Sequence, residues 1–287
     1  MATLRDVKRK INSIRSTQTI TRTMRMISAS KLRRAQEELE KITGYALRTE
    51  ELLKRIASRV PEQSHPLFLE REEIKRVLLF PIASDRGLSG AFNLNVANAV
   101  ERFLQENRAK YEKIGVYLVG RKIRDYLRRR STETTREWVD VKNIGSEMAG
   151  EMAREVTDLY LSGQFDRVYL IYTHFQSAIN QKVMFEQFLP LKPERTTDEG
   201  PDYLYEPDVQ SIVDRFVPHY LFTKVYFALL ESQTSEHASR MAAMENATSN
   251  CGEMIDHLTL VYNKTRQQSI TNEMMDIVGG AEALQGT

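Results

Sequence analysis

The chain has 287 residues, 41 Lys and Arg against 39 Asp and Glu, a net charge of +2, five histidines and a single cysteine, Cys251. One cysteine excludes an intramolecular disulfide framework and fits a reducing compartment, the histidines have no partners at metal-ligand spacing, and no run of about 18 apolar residues exists to span a bilayer as a helix. The length favours two structural units and suffices for a sizeable core.

The first 60 residues contain no proline and one glycine, Gly44. A seam stepping alternately by three and four runs Leu4, Val7, Ile11, Ile14, Gln18, Thr21, Arg25, Ser28, Leu32, Ala35, Leu39, Ile42, Ala46, Thr49, Leu53, Ile56 and Val60. That is a heptad repeat, the pattern that winds helices into a left-handed supercoil. Its middle is polar at Gln18, Thr21, Arg25 and Ser28, while Ile20, Met24 and Ile27 lie off the seam. The spacing predicts one helix roughly 85 Å long, too long for the interior of a compact domain. Pro61 and Pro66 close it.

Charge is concentrated here. Residues 1–34 carry ten Lys and Arg against Asp6, or +9, so with +2 overall the remainder sums to −7. An acid-poor, Ser- and Arg-bearing start fits a transit peptide, a nucleic-acid-binding arm, or a helix facing an acidic partner surface. The heptad continuing into the mature chain, and the lack of aromatics before Tyr45, favour the partner surface.

From about Glu73 the hydrophobic period changes. Lys75–Ser84, Ile114–Gly120 and Arg167–Thr173 read as largely apolar strands, with helices over Asn93–Asn107, Arg121–Arg130 and Ser146–Ser162. Trp138–Val141 suggests a further short strand, and Lys182–Leu189 closes the sheet. Such alternation predicts a mostly parallel sheet with helices packed on it. Segment 191–208, rich in Pro, Asp and Glu, reads as a surface loop, with Pro207 near the start of the last helix.

The last helix repeats the pattern of the first. Val213, Phe216, Tyr220, Thr223, Phe227, Leu230, Thr234, His237, Met241, Met244, Thr248, Cys251, Ile255, Leu258 and Tyr262 form a seam that turns polar at Thr265, Ser269 and Asn272. Two matching seams at opposite ends of a chain predict an antiparallel pair, with Cys251 a small buried hydrophobe inside it. Such stripes ordinarily serve packing, which leaves function to the outward faces. The expected architecture is α+β overall: a long antiparallel coiled coil from the termini (1–60 and 207–287) and an inserted Rossmann-like α/β domain (70–206).

The loop Ser84-Asp85-Arg86-Gly87-Leu88-Ser89-Gly90-Ala91-Phe92-Asn93 sits at a strand-to-helix junction, where backbone amides are able to cradle a phosphate. G-x-x-G is nevertheless not G-x-G-x-x-G, and no P-loop lysine follows. A tight turn with an Asp or Ser capping contact is the plainer reading. No catalytic constellation can be assembled from sequence order, and a fold alone licenses no enzyme.

Three blocks carry a family resemblance. The stretch Ile20-Thr21-Arg22-Thr23-Met24-Arg25-Met26-Ile27-Ser28-Ala29-Ser30-Lys31-Leu32-Arg33-Arg34-Ala35 resembles the N-terminal signature of the gamma subunit of F-type ATP synthase. Ser84–Asn93 is similar to its S-D-R-G-L-C-G-A-F-N loop, with Ser89 replacing the usual cysteine. Residues 266–281 fit its C-terminal I-T-x-E-x-x-[DE]-x-x-x-G-A signature, and Tyr203, Tyr205, Glu206 and Pro207 echo a Y-x-Y-E-P junction. The resemblance runs along the whole chain in one register.

That resemblance implies a non-catalytic rotor shaft inside an alpha3beta3 hexamer, with the α/β insert at the foot beside the epsilon subunit and the c-subunit ring. It implies hexamer contacts at Met24, Arg25, Arg33, Arg34, Arg266, Gln267, Thr271 and Glu273, and foot contacts at Tyr203, Tyr205 and Glu206. ATP, ADP and magnesium are then bound by alpha and beta, no cofactor or nucleic acid by this chain, and the chain sits peripherally at the cytoplasmic face of a bacterial membrane. A shaft turning in a sleeve is expected to show few apolar patches outward. Thiol switching is not expected without a cysteine pair, nor a presequence when the family block begins almost at Met1. A coiled-coil nucleic-acid binder and a small-molecule enzyme built on the insert are the competing classes; neither explains signatures at both chain ends.

Overall fold

The computed structural model describes residues 3–59, 65–130, 132, 134–141, 144–178, 180–192 and 208–285. The terminal helices are α1 (Leu4–Arg59, 56 residues) and α5 (Val209–Gln285, 77 residues). Between them come β1 (Arg76–Pro81), α2 (Phe92–Asn107), β2 (Lys113–Val119), α3 (Arg121–Arg128), β3 (Arg136–Trp138), α4 (Ser146–Leu161), β4 (Arg167–Phe175) and β5 (Gln181–Leu189). No helix among the described residues is long and apolar enough to cross a membrane.

Side chains start both long helices. Thr3 and Asp6 form a reciprocal cap: the Asp6 amide donates to Thr3 Oγ (3.3 Å) while the Asp6 carboxylate accepts the Thr3 amide (3.3 Å) and hydroxyl (2.7 Å). The Thr3 hydroxyl, its amide and the Arg9 guanidinium hold the Asp6 carboxyl below the usual range. Asp208 caps α5 by accepting the Ser211 amide at 2.8 Å. Farther on, α5 runs through Pro218, whose ring removes one backbone donor on an exposed face.

The chain divides into two compact units, Met1–Ile27 with Met241–Thr287, and Ser28–Arg240. In the first unit the α1 seam is buried at Val7, Ile11 and Thr21 and half-buried at Leu4, Ile14, Gln18 and Arg25. Its polar middle is matched across the pair. The Thr248 hydroxyl lies 2.8 Å from the Thr21 hydroxyl, Gln18 Nε2 donates to the Thr248 carbonyl at 3.4 Å, and Arg25 pairs with Glu245. Residue numbers therefore run oppositely, as an antiparallel pair requires. Gly252 faces Gln18 closely: a Cβ there would stand 3.3 Å from Nε2, tighter than ordinary contact. Polar positions inside a seam cost stability and fix register. Cys251 is half-buried, more open than the small core residue expected of it.

In the second unit the sheet order is β3-β2-β1-β4-β5, with β1/β2, β1/β4 and β2/β3 parallel and β4/β5 antiparallel. Alternation in β1 sends Val77 and Leu79 to one face and Leu78 and Phe80 to the other. The first face is covered by Val96 and Val100 of α2 and Ile123 and Leu127 of α3. The second meets Met152 and Val156 of α4, Leu53 and Ile56 of α1, and Val217, Leu221, Val225 and Leu229 of α5. A single heptad seam is what the sequence pattern predicts for α5. Between Val213 and Ala238 the helix instead buries two stripes, because it has both α1 and the sheet as neighbours.

The short strand expected at Trp138–Val141 is displaced to Arg136–Trp138. Asp140 adopts φ +60 and the Val141 amide is drawn to Asp85 (2.8 Å), which turns the chain off the sheet. At the opposite end of the sheet, buried Asp166 accepts from Arg71 Nη1 (2.6 Å), Arg76 Nη2 (3.0 Å) and the amides of Lys75 (3.0 Å) and Arg76 (2.8 Å). Burial alone would raise its carboxyl, but the hydrogen bonds from Arg76, Lys75 and Arg71 more than offset this and hold it below the usual range.

Candidate functional site

The strand-to-helix loop after β1 is tied down from within. Asn93, in the first turn of α2, accepts the Ser84 amide (3.0 Å) and hydroxyl (2.9 Å) on Oδ1 and donates from Nδ2 to Ser89 Oγ (3.0 Å). Asp85 spans two neighbours, taking the Arg121 amide that opens α3 on Oδ1 (2.8 Å) and the Val141 amide on Oδ2 (2.8 Å). Leu88 and Gly90 take positive φ angles of 62 and 55, and Leu88 is left exposed. Gly120, at φ +104 where β2 meets α3, has the Ala83 carbonyl 2.4 Å from where a Cβ would stand. The turn with an Asp contact is thus observed, and Ser89 is a buried, hydrogen-bonded member of it.

One side chain of α5 reaches this loop. Arg240 donates from Nε and Nη2 to the Gly87 carbonyl (3.3 Å each) and pairs with Glu236 at 2.6 Å. Burial raises the Glu236 carboxyl against the pull of Arg240. Burial, with help from Arg240, Lys31 and Arg86, pushes His237 down to about 4. Burial, helped by these cations, keeps His237 neutral near pH 7.

The residues singled out for partner contact lie in several places. Met24 is half-buried and Arg25 is engaged with Glu245. Arg33 is exposed and pairs one turn on with Glu37 at 3.2 Å; Arg34 is exposed. Arg266, Gln267, Thr271 and Glu273 are all exposed on α5, with the Thr271 hydroxyl donating to the Gln267 carbonyl (2.9 Å). Gln267 and Thr271 share a face, one turn apart. Tyr203, Tyr205 and Glu206 lie outside the described residues.

The expectation of few outward apolar residues is corrected by the helix end. Residues 271–281 of α5 are exposed at every position, and they include Met274 (64 % exposed), Met275 (67 %), Ile277 (72 %) and Val278 (49 %). Ile20, Met26 and Ile27 of α1 are also more than half exposed. A helix bearing large apolar side chains without a covering neighbour calls for an external surface. Heptad counting sets Ile20 and Ile27 off the seam and passes no judgement on Met274–Val278, because it records what the seam holds, not what covers the other faces. The signal available in the sequence was the apolar content of Met274–Val278 persisting after the seam turned polar.

A family model described as ATP synthase matches residues 3–284. The ATP synthase gamma chain of Anaeromyxobacter sp. (strain Fw109-5) is 44% identical over 291 residues, covering 99% of this chain and 100% of its own length. That of Moorella thermoacetica is 43% identical over 286 residues, covering 99% and 100%. The central stalk and c-ring structure of Tetrahymena thermophila mitochondrial ATP synthase is similar with a TM-score of 0.61 and 30% identity, over 79% of this chain and 99% of that one. The rotor of the Euglena gracilis enzyme shares the fold, with a TM-score of 0.68 at 22% identity over 93% and 98%. The chain belongs to the ATP synthase gamma-chain family.

Proposed function

We propose that this chain is the central rotor shaft of an F-type ATP synthase, a non-catalytic subunit that turns with an ion-driven c ring inside an alpha3beta3 hexamer. The observation that supports the reading most is the match to ATP synthase gamma chains along 99% of this chain, carried on two terminal helices that run antiparallel through Thr21 and Thr248, and Arg25 and Glu245. The α5 end, residues 271–281, is exposed and carries Met274, Met275, Ile277 and Val278; a surrounding sleeve would bury them, and none of the described residues of their own unit does.

Energetics make the role feasible. Driving a beta site from 1:99 to 99:1 between two conformations takes about 5.5 kcal/mol of differential contact energy. Full burial of a large apolar side chain contributes roughly 1.5–3 kcal/mol. Two to four such contacts, made with one beta subunit and not with the next, reach that magnitude. Rotation then presents the asymmetric face to each subunit in turn, and each site's affinity follows by linkage.

Under this reading Met24, Arg33 and Arg34 meet acidic loops of beta, while Arg266, Gln267, Thr271 and Glu273 engage the hexamer farther along α5. Arg25 meets the hexamer beside them, held in place by its pair with Glu245. Tyr203, Tyr205 and Glu206 form the foot against the c ring and epsilon. Nucleotide and magnesium belong to alpha and beta; this chain holds no cofactor, binds no nucleic acid, and is peripheral to the cytoplasmic face of a bacterial membrane. The experiment is purification of tagged chain from native membranes with an ATPase assay on the eluate. Recovery of alpha, beta and epsilon with activity is expected; recovery of this chain with nucleic acid, or alone with its own activity, overturns the reading. Arg266→Glu or Gln267→Ala that leaves coupled synthesis untouched removes the contact assigned to those residues.

A further inference from the structure

In open α/β sheets, ligands occupy the crevice beyond the carboxyl ends of the strands where the strand order reverses. Here the chain moves from β1 out through β2 to β3, then returns to the other side of β1 with β4, so that crevice lies between β1 and β4. Their pairing ends at Pro81 and Ile171, with a last bond from the Ile82 amide to the Ile171 carbonyl. Beyond it β1 leaves for the Ser84–Asn93 loop and β4 continues to Phe175 without β1 beside it.

Three turns of α5 fill the position. The Thr173 amide donates to Ser232 Oγ (3.2 Å), and Ser235 Oγ donates to the Thr173 carbonyl (3.2 Å). These two hydroxyls take over the donor and acceptor roles that a neighbouring strand would supply. Glu231 Oε2 accepts the Phe175 amide (2.5 Å) and meets His174 Nδ1 (3.0 Å). Farther along, Ser239 donates to Gln181 at the start of β5, and Arg240 holds the Gly87 carbonyl on the β1 side. Glu231, Ser232, Ser235 and Thr173 are each 3% exposed or less. A carboxylate on a backbone amide and an imidazole at one end, and a guanidinium on a loop carbonyl at the other, is how a polar ligand is held in such a crevice.

We propose that residues 231–240 of α5 act as a built-in ligand of the α/β domain, and that Glu231, Ser232 and Ser235 are positioning residues that fix the domain to the helix so that it moves with α5 during coupling. This rests on the rotor reading above. Apolar packing supplies adhesion between α5 and the sheet, but it is non-directional. Hydrogen bonds to a strand end fix the helix's position along and around its axis, the degree of freedom that torque acts on.

The test uses the assembled complex in membrane vesicles. ATP hydrolysis, hydrolysis-driven ion pumping and hydrogen exchange at residues 173–175 are measured for the parent, Glu231→Ala, Glu231→Gln and Ser232→Ala/Ser235→Ala. Glu231→Gln keeps an oxygen for the Phe175 amide. The expected result is that Glu231→Ala and the double variant assemble and hydrolyse within twofold of the parent. They should exchange residues 173–175 at least tenfold faster and pump at least threefold less per ATP, with Glu231→Gln close to the parent. An unchanged pumping ratio beside faster exchange refutes the coupling role, and unchanged exchange refutes the clasp itself. Failure of the parent chain to support pumping at all overturns the rotor reading instead. If Glu231→Ala does not assemble, Glu231→Gln and the double variant decide the matter on the same criteria.

Discussion

Both units match polar groups inside the fold; they differ at the end of α5, where large apolar side chains stand exposed in close succession. In the unit built from Ser28–Arg240, charged and polar groups inside the fold are matched by partners from distant parts of the chain: Asp166 by Arg71 and Arg76, Asp85 by the Arg121 and Val141 amides, Glu231 by His174 and the Phe175 amide. In the other unit, the twelve consecutive residues 270–281 of α5 are exposed, among them Met274, Met275, Ile277 and Val278. Internal satisfaction marks residues that hold the fold. Apolar exposure without it marks residues that serve a partner. The contrast predicts that stability and coupling respond to different substitutions.

The largest stability effect is expected at the base of the sheet. Asp166→Ala strands the Lys75 and Arg76 amides and removes the carboxylate from two partly exposed arginines; each buried amide left unpaired costs about 1–3 kcal/mol, read from chemical denaturation of the full chain. Gly120→Ala comes next. Its positive φ and the Ala83 carbonyl 2.4 Å from the added Cβ predict a loss of about 1–3 kcal/mol; a variant as stable as the parent would show that the β2–α3 junction relaxes freely.

His237 gives a pH signature. Its folded value near 4 lies below an unfolded value of about 6.5, so protonation favours unfolding. The stability this residue protects is intact above pH 6.5 and is lost as pH falls toward 4. Glu236, raised by burial, works the other way as pH increases through its folded value. The difference between the parent and His237→Gln isolates the histidine: the variant should lose less stability between pH 6.5 and 4, and parallel curves would contradict the assignment. The smallest effect belongs to Arg25→Ala. Its pair with Glu245 is partly exposed, and such pairs contribute about 0.2–1 kcal/mol; a loss above 2 kcal/mol would show that the polar mid-seam is a stability determinant.

Much of this contrast was legible in the sequence. Residues Leu4–Ile56 of the α1 seam are all buried or half-buried, because a helix with one long neighbour shows one period. The strands of the α/β domain announced themselves through apolar runs, except at Trp138–Val141, where the Asp85 contact ends the strand early. The second buried stripe of α5 was not legible. Val217, Leu221, Val225 and Leu229 acquire their neighbour from a sheet whose last strand ends at Leu189, well before them in the chain, and periodicity carries no information about how many neighbours a helix has. The partners of Gln18, Thr21 and Arg25 were hidden for a related reason: polar seam residues are interpretable only once Thr248 and Glu245 are placed opposite them. Of the candidate contact residues, the exposed set at Arg266, Gln267, Thr271 and Glu273 was named from motif position, whereas Met274 and Ile277 were passed over.

The most direct test of the account is Met274→Ser/Ile277→Ser in the assembled complex, scoring the thermal midpoint of the isolated chain beside ATP-driven pumping. Exposed sites away from packing contacts shift stability by about 0.5 kcal/mol or less, so the midpoint should be unchanged while pumping per ATP falls several-fold. A lowered midpoint with normal pumping, or no change in either, would contradict the claim that the exposed end of α5 exists for its partner.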